Sequence, residues 1–471
     1  MSKHLCAVLM ISLVALGLRI GYLAAFGGLD NRLHDSFGDQ YIYLDLGRNL
    51  AAGKGFVVSG ETWISHPNNP TSIFPPVYPL FLSASIFVFG DHLLPIRLFH
   101  VLFSVIIAVL AYLIGRELFG QTIGFVSGIA TAFYPTFVMY VRPIMSEGIF
   151  YLLVTLLVYL SVRIAKGKFS WWHVVIWGIV AGLGILTRSE VLLLVSGLFV
   201  YLAYRRMCEQ PSAAIALLPC LLSAVIVMLP YVWYNYEAHG RASFLPNARW
   251  KFWDHTWWAE MREHPEWASV SLPERRVVPD WYAKTEIERD EYLWNMAVQW
   301  VLENPETFVI QRVKKLIYSY PLIPREELDP PLGTKGEISS SSGAAYGPTS
   351  LDDVVAYFTP IEKIRGWLFR IIFILAVGGV VAGVLRHIDS FVVLLIPIFW
   401  NILHSMAFVG SERIRMQIDV FLIILMVYFV ADLWLRRYLL DEHQTDGKRR
   451  VGNKQEQTVE RFRGKALDRI N

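Results

Sequence analysis

Apolar residues in this chain come in blocks of near-spanning length, separated by short charged links. A helix needs roughly 20 predominantly apolar residues to cross the hydrocarbon of a bilayer. The blocks that approach this are 5–26, 98–115, 122–141, 146–162, 171–188, 190–204, 213–234, 367–385, 390–409 and 416–435. Within hydrocarbon every backbone amide must bond inside its own segment, so such blocks are read as helices. The strands of an outer-membrane barrel would instead alternate over ~10-residue segments. The chain is 54% hydrophobic and 18% charged, against about 45–50% and about 25% in soluble domains. A soluble enzyme and a disordered polymer are both excluded. The expected fold class is an all-α polytopic membrane protein with about ten spans. Lys3 and His4 ahead of the first block resemble a signal peptide, but its length and Arg19 favour an uncleaved first helix.

Basic residues orient the bundle. Arg116, then Arg163, Lys166 and Lys168, then Arg205 and Arg206, then Arg386, then Arg436 and Arg437 fall on alternate links. Those links should face the cytoplasm, with both termini inside. The opposite face then holds a first external loop, 27–97, and a large one, 235–366. Block 75–90 is too short to span and would invert every later link, so it is expected as an interfacial or re-entrant helix. Eight tryptophans between Trp250 and Trp300 suggest a loop lying on the bilayer surface. Within it, 286–303 and 306–319 read as amphipathic helices divided at Asn304-Pro305. Residues 335–350 are Ser- and Gly-rich and are expected to be mobile. The domain map is a transmembrane domain over 1–436 and a disordered cytoplasmic tail over 437–471.

A net charge of +3 gives no reason to expect a nucleic-acid partner, and three cysteines without metal or disulfide spacing give no framework. The informative residues are the polar ones that a membrane protein keeps at a cost. Asp35, Asp39, Arg142, Glu147, Arg188, Glu190, His404, Glu412, Arg413 and Arg415 gather at the outer ends of the spans. A carboxylate there can take a proton from an attacking hydroxyl. Arginines can grip a phosphate bidentately and stabilise it as it leaves. Each residue also has a plainer role. Asp39 can cap the helix-like stretch 40–52, and Glu147 can pair with Arg142. Arg188 can pair with Glu190, and His404 can simply pack. Arg413 and Arg415 can snorkel to head groups. Taken together, the pattern fits group transfer from a lipid-linked phosphate. A transporter or lipid-linked-glycan flippase is the alternative, although the acids sit at the outer edge and no internal repeat is visible.

The order of motifs resembles the GT-C membrane glycosyltransferases of the family 39 type, which include protein O-mannosyltransferases and lipid A aminoarabinose transferases. The first external loop carries Asp39-Gln-Tyr-Ile-Tyr43, then a Leu-rich stretch from Leu46 to Gly55-Phe56, then the proline-rich entry Pro75-Pro76-Val-Tyr78-Pro79. Met145-Ser146-Glu147-Gly148 and Leu186-Thr187-Arg188-Ser189-Glu190 follow, with Ser189 where proline is usual. The segment Tyr231–Gly240 has Tyr234 where arginine is usual, and Glu412-Arg413-Ile414-Arg415-Met416 stands before the last span. The resemblance implies a polyprenyl-phosphate sugar donor and an inverting transfer to a lipid, glycan or protein acceptor. It also implies a site on the periplasmic or extracellular face of a bacterial inner (plasma) membrane. Asp39 would be the catalytic carboxylate, with Glu147 a second acid and Asp35 beside them. Arg142, Arg188, Arg413 and Arg415 would bind the donor phosphate, and Tyr43, His404 and Glu190 would line the pocket. No tightly bound metal is indicated. Asp35 and Asp39 leave a loosely held divalent cation open.

Overall fold

The computed structural model describes residues 2–33, 39–60, 62, 65–167, 170–209, 215–244, 249–257, 273–320, 351–386, 391–407 and 415–435. Asp35, Glu412, Arg413, segment 335–350 and the tail 437–471 lie outside the described residues. Apart from an isolated β-bridge between Val57 and Pro70, regular structure among the described residues is helical. The expected all-α polytopic class is borne out. Among the described residues, seven helices are long and apolar enough to cross a membrane: Lys3–Ala25, Leu93–Phe119, Glu147–Ala165, Ser189–Cys208, Ile215–His239, Ile364–Leu385 and Met416–Leu435.

In chain order the elements are α1 (Lys3–Ala25), α2 (Asp39–Ala51), α3 (Val77–Phe89), α4 (Leu93–Phe119), α5 (Gln121–Phe133), α6 (Pro135–Met139), α7 (Glu147–Ala165), α8 (Trp171–Ile185), α9 (Leu192–Glu209) and α10 (Leu218–His239). They continue with α11 (Trp250–Asp254), α12 (Pro273–Val277), α13 (Glu286–Glu303), α14 (Pro305–Ser319), α15 (Leu351–Leu385) and α16 (Val392–Ala407). The last, α17, is Met416–Leu435. The remaining three expected spans fall on α5, α8 and α16, which are apolar but shorter than a full crossing. Two of these stop for visible reasons. Pro135 ends α5, and α8 gives way to an extended Arg188. The short block 75–90 forms α3, 13 residues long, packed on α2 where Gly47 admits Leu82.

Without a hydrophobic drive between helices in lipid, close backbone approach does much of the packing. A Cβ built on Gly124 of α5 would lie 2.6 Å from the Tyr112 carbonyl oxygen of α4, so this crossing requires glycine. The break at Pro135 frees carbonyls that hydrocarbon cannot satisfy. Fully buried Arg19 of α1 supplies one donor, with Nη1 2.7 Å from the Ala132 oxygen, while Nε reaches Ser104 Oγ at 2.8 Å. Ser104 in turn donates to the Phe137 oxygen at 2.8 Å. Arg19 thus satisfies one of the carbonyls left at this break.

The two long loops expected outside, 27–97 and 235–366, share one core. Tyr43, Leu46, Phe56, Ile73, Phe74 and Tyr78 from the first pack with Trp250, Trp253, Trp281 and Leu293 from the second. Four tryptophans read as a membrane belt, Trp250, Trp253, Trp281 and Trp300, are instead buried. Large aromatic surface serves an interior as well as an interface, and composition alone does not separate the two.

Glu286 fastens the loops together. One oxygen accepts from the Ser72 amide at 2.8 Å and the other from the Ser65 hydroxyl at 2.7 Å. Ser72 donates to Asn235 of α10 at 2.6 Å. Burial pushes the Glu286 carboxyl up to about 7, against these donors and Arg289, which pull it down. The folded state therefore keeps a proton that the unfolded chain loses above the ordinary value of 4.5. Stability should fall as pH rises from about 4.5 to about 7, by up to about 3 kcal/mol for this group. Glu274, also raised to about 7 by burial, adds a slope of the same sign. In melting curves across this window, Glu286→Gln should be flatter than the parent. An unchanged slope would remove Glu286 as its source.

Candidate functional site

Helix α2 begins at Asp39, whose charge suits the positive end of the helix. Tyr43 follows one turn later on the same face. It is buried, stacked on Phe74 at 4.2 Å and edge-on to Tyr78 at 4.9 Å. Its hydroxyl donates to Ser146 Oγ at 3.2 Å. Burial, chiefly, raises the phenol above its ordinary range. Arg188 opposes the shift, and the charges of Glu147 and Asp39 add to it. One neutral tyrosine therefore feels Asp39, Glu147 and Arg188 together.

Glu147 opens α7 and is almost fully buried. Its partner is Arg188, not Arg142: Arg188 Nη1 lies 3.3 Å from Glu147 Oε1. Arg188 Nε also binds Glu190 Oε1 at 2.5 Å, so the ion pair foreseen between these two residues forms. Burial works against the Arg188 charge, but Glu190 and Glu147 outweigh it and hold the guanidinium pKa well above its ordinary value. The loop bearing Arg188 is tied to α3 through the Val77 amide and the Leu186 oxygen at 3.1 Å.

From the far side, Trp400 of α16 donates to the Glu190 carbonyl at 2.9 Å and stacks on His404 at 5.8 Å. His404 is buried and lies within electrostatic range of Glu190, Arg188 and Lys251. The structure thus brings together Asp39, Tyr43, Glu147, Arg188, Glu190 and His404. Two further members were missed. Lys251 belongs to α11 in a tryptophan-rich run whose packing could not be foreseen. His100, bonded to the Tyr78 hydroxyl at 3.2 Å, carried a usable signal as a titratable residue inside a span.

Arg415 and Arg142 stand elsewhere. Arg415 is 1% exposed, 3.6 Å from Asp419 Oδ1, with its guanidinium carbon 3.8 Å from the Phe369 ring centroid. Beside it Tyr320 donates to Asn401 at 2.6 Å, on the same helix as Trp400 and His404. Arg142 lies against the turn after α1, near Gly27 and Arg97. Tyr234, where the resemblance wants arginine, donates to the Phe56 and Thr71 carbonyls at 3.2 and 3.0 Å and so holds the first loop. Among the described residues no group of three or more His, Cys, Asp or Glu is placed to hold a metal ion. A loosely held cation would fall to Asp39 and Asp35, the latter outside the described residues.

Residues 73–234 match the family described as Dolichyl-phosphate-mannose-protein mannosyltransferase. This bears out the resemblance read from the motifs and supports glycosyl transfer in coarse form. No curated protein shows significant sequence similarity to the chain. Among solved structures, the archaeal oligosaccharyltransferase AglB from Archaeoglobus fulgidus, in complex with an inhibitory peptide and a dolichol-phosphate, aligns at TM-score 0.43 and 16% identity over 94% of this chain and 51% of that one. The apo form of the Archaeoglobus fulgidus oligosaccharyltransferase aligns at TM-score 0.43 and 15% identity over 94% and 52%. The chain spans about half the length of these proteins.

Proposed function

We propose that this chain, matched over residues 73–234 to a lipid-phosphate-sugar transferase family, moves a sugar from a polyprenyl-phosphate donor to an acceptor nucleophile with inversion. The observation that carries the reading is the meeting of Asp39, Tyr43, Glu147, Arg188, Glu190 and His404, from separate stretches of chain, at one end of the bundle. Asp39 takes the proton of the acceptor hydroxyl as its oxygen attacks the anomeric carbon. The bond from that carbon to the phosphate oxygen breaks on the opposite face, and the lipid monophosphate leaves with the electron pair. Arg188 is already shared by two carboxylates, so its first role is to fix Glu147 and Glu190. Lys251 and Arg188 supply positive charge toward the departing phosphate. Arg413, outside the described residues, is the remaining candidate for that phosphate.

The alternation of basic links supports an external orientation for this end of the bundle. Right-side-out vesicles loaded with an undecaprenyl-phosphate sugar should glycosylate an impermeant acceptor added outside and release undecaprenyl phosphate. A nucleotide sugar added instead should give no transfer. Transfer only in inverted vesicles would reverse the proposed sidedness. Transfer from the nucleotide sugar alone would overturn the donor class.

A further inference from the structure

Arg312 of α14 has no part in the pocket just described, yet it is buried and binds main-chain carbonyls of two other elements. Nη1 donates to the oxygens of Met406 at 3.2 Å and Ala407 at 2.6 Å, the last two residues of α16. Nη2 donates to the oxygen of His255, the residue that closes α11. Lys315, on the same helix as Arg312, donates to that His255 oxygen as well. The guanidinium carbon lies 4.6 Å from the ring centroid of Phe308, and Phe308 meets Phe252 of α11 edge-on at 6.3 Å.

The last carbonyls of a helix have no partner within it and carry partial negative charge, so an arginine suits them. Capping one helix would need only one end. Here a single rigid fork takes two ends and so fixes the distance between them. Both ends lead to the pocket. Helix α16 carries Trp400, whose ring nitrogen donates to the Glu190 carbonyl at 2.9 Å. It also carries His404, two residues before Met406. Helix α11 carries Lys251, four residues before His255. Its other end is held by α13, where Asp290 Oδ1 accepts from the Trp250 amide at 2.7 Å. Lys251 and His404 both act electrostatically on Glu190.

We propose that Arg312 is a positioning residue for transfer, holding the ends of α11 and α16 at the separation that places Lys251 and His404 together beside Glu190. This rests on the reading of that pocket as the site of glycosyl transfer. Arg312 touches neither sugar nor phosphate. It acts through the two elements it joins, and α14 thereby ties the long second loop to the site.

The test uses the purified full chain with two readouts, transfer and amide hydrogen exchange. Arg312→Met removes every donor but keeps an apolar stem. It should speed exchange in segments 250–257 and 400–407 roughly tenfold, the scale of one lost charge-assisted bond. Segments 39–51 and 147–165 should exchange as in the parent. Transfer per folded molecule should fall roughly tenfold or more, the scale of a small misplacement. In a background already carrying Lys251→Met and His404→Gln, adding Arg312→Met should lower transfer less than about twofold, because the groups it positions are gone. A purely structural arginine would cost the same factor in both backgrounds, and that result overturns the proposal. Unchanged exchange in both segments of the folded variant overturns it too. Should Arg312→Met fail to fold, Arg312→Lys serves instead. An ammonium cannot span both ends, so one segment should still exchange faster and transfer should still fall. A parent chain without transfer overturns the reading of the pocket, and the exchange result then decides the two-ended clamp by itself.

Discussion

Asp39→Asn is expected to lower transfer by roughly 100-fold or more, the scale of a positioned general base, while the protein stays folded and inserted. Asparagine keeps the volume and hydrogen-bonding oxygen of the side chain but removes its basicity. Asp39 lies in the first turn of α2 rather than ahead of it, so the structural cost is the lost interaction with the helix end. That is typically 0.3 to about 1 kcal/mol. Melting temperature and transfer should be measured on one purified sample, since a purely structural Asp39 would give a nearly active variant. Retained transfer would send the search to Glu147→Gln and Asp35→Asn. If all three variants transferred sugar normally, the carboxylate mechanism would fail.

The largest effect on stability should come from Arg188→Met. This change leaves the carboxylates of Glu147 and Glu190 in a buried setting without their shared cation. Breaking a buried pair by removing one partner costs about 3–5 kcal/mol, because the remaining charge is uncompensated. The distinctive expectation is recovery. Adding Glu147→Gln and Glu190→Gln to Arg188→Met should restore much of the melting temperature without restoring transfer. A triple variant no more stable than Arg188→Met would show that the arginine acts mainly through its packing on Phe150, 5.6 Å from the ring centroid.

Much of the fold was readable because hydrocarbon imposes length and composition on what crosses it. The block 5–26 became Lys3–Ala25, and the start of a span at Glu147 was marked by Met145-Ser146-Glu147-Gly148. The pair of helices divided at Pro305 was also legible, because a capping box at Thr285 and a proline punctuate the apolar periodicity. The site was legible in part. Tyr43 shares a helix face with Asp39 by simple spacing, and Arg188 and Glu190 are nearly adjacent. Which arginine meets Glu147 was not, because Arg142 is closer in sequence and only the packing of α8 against α7 selects Arg188. Lys251 and the buried tryptophans were hidden for the same reason. Their environment is made by a segment some two hundred residues earlier in the chain, and no local pattern records it.

The core shared by the two long loops also bears on biogenesis. Phe74 and Tyr78 leave the ribosome long before Trp281 and Leu293, which complete their packing. At roughly 5–20 residues per second, α2 and its Asp39 must wait tens of seconds without the tryptophans that pack against them. His404 and Trp400 come later still. On the proposed reading, the nascent chain lacks a complete pocket until its last helices are threaded. A truncated product of interrupted synthesis would then display unburied aromatic surface to quality-control proteases and, on the proposed reading, would carry no complete transfer site.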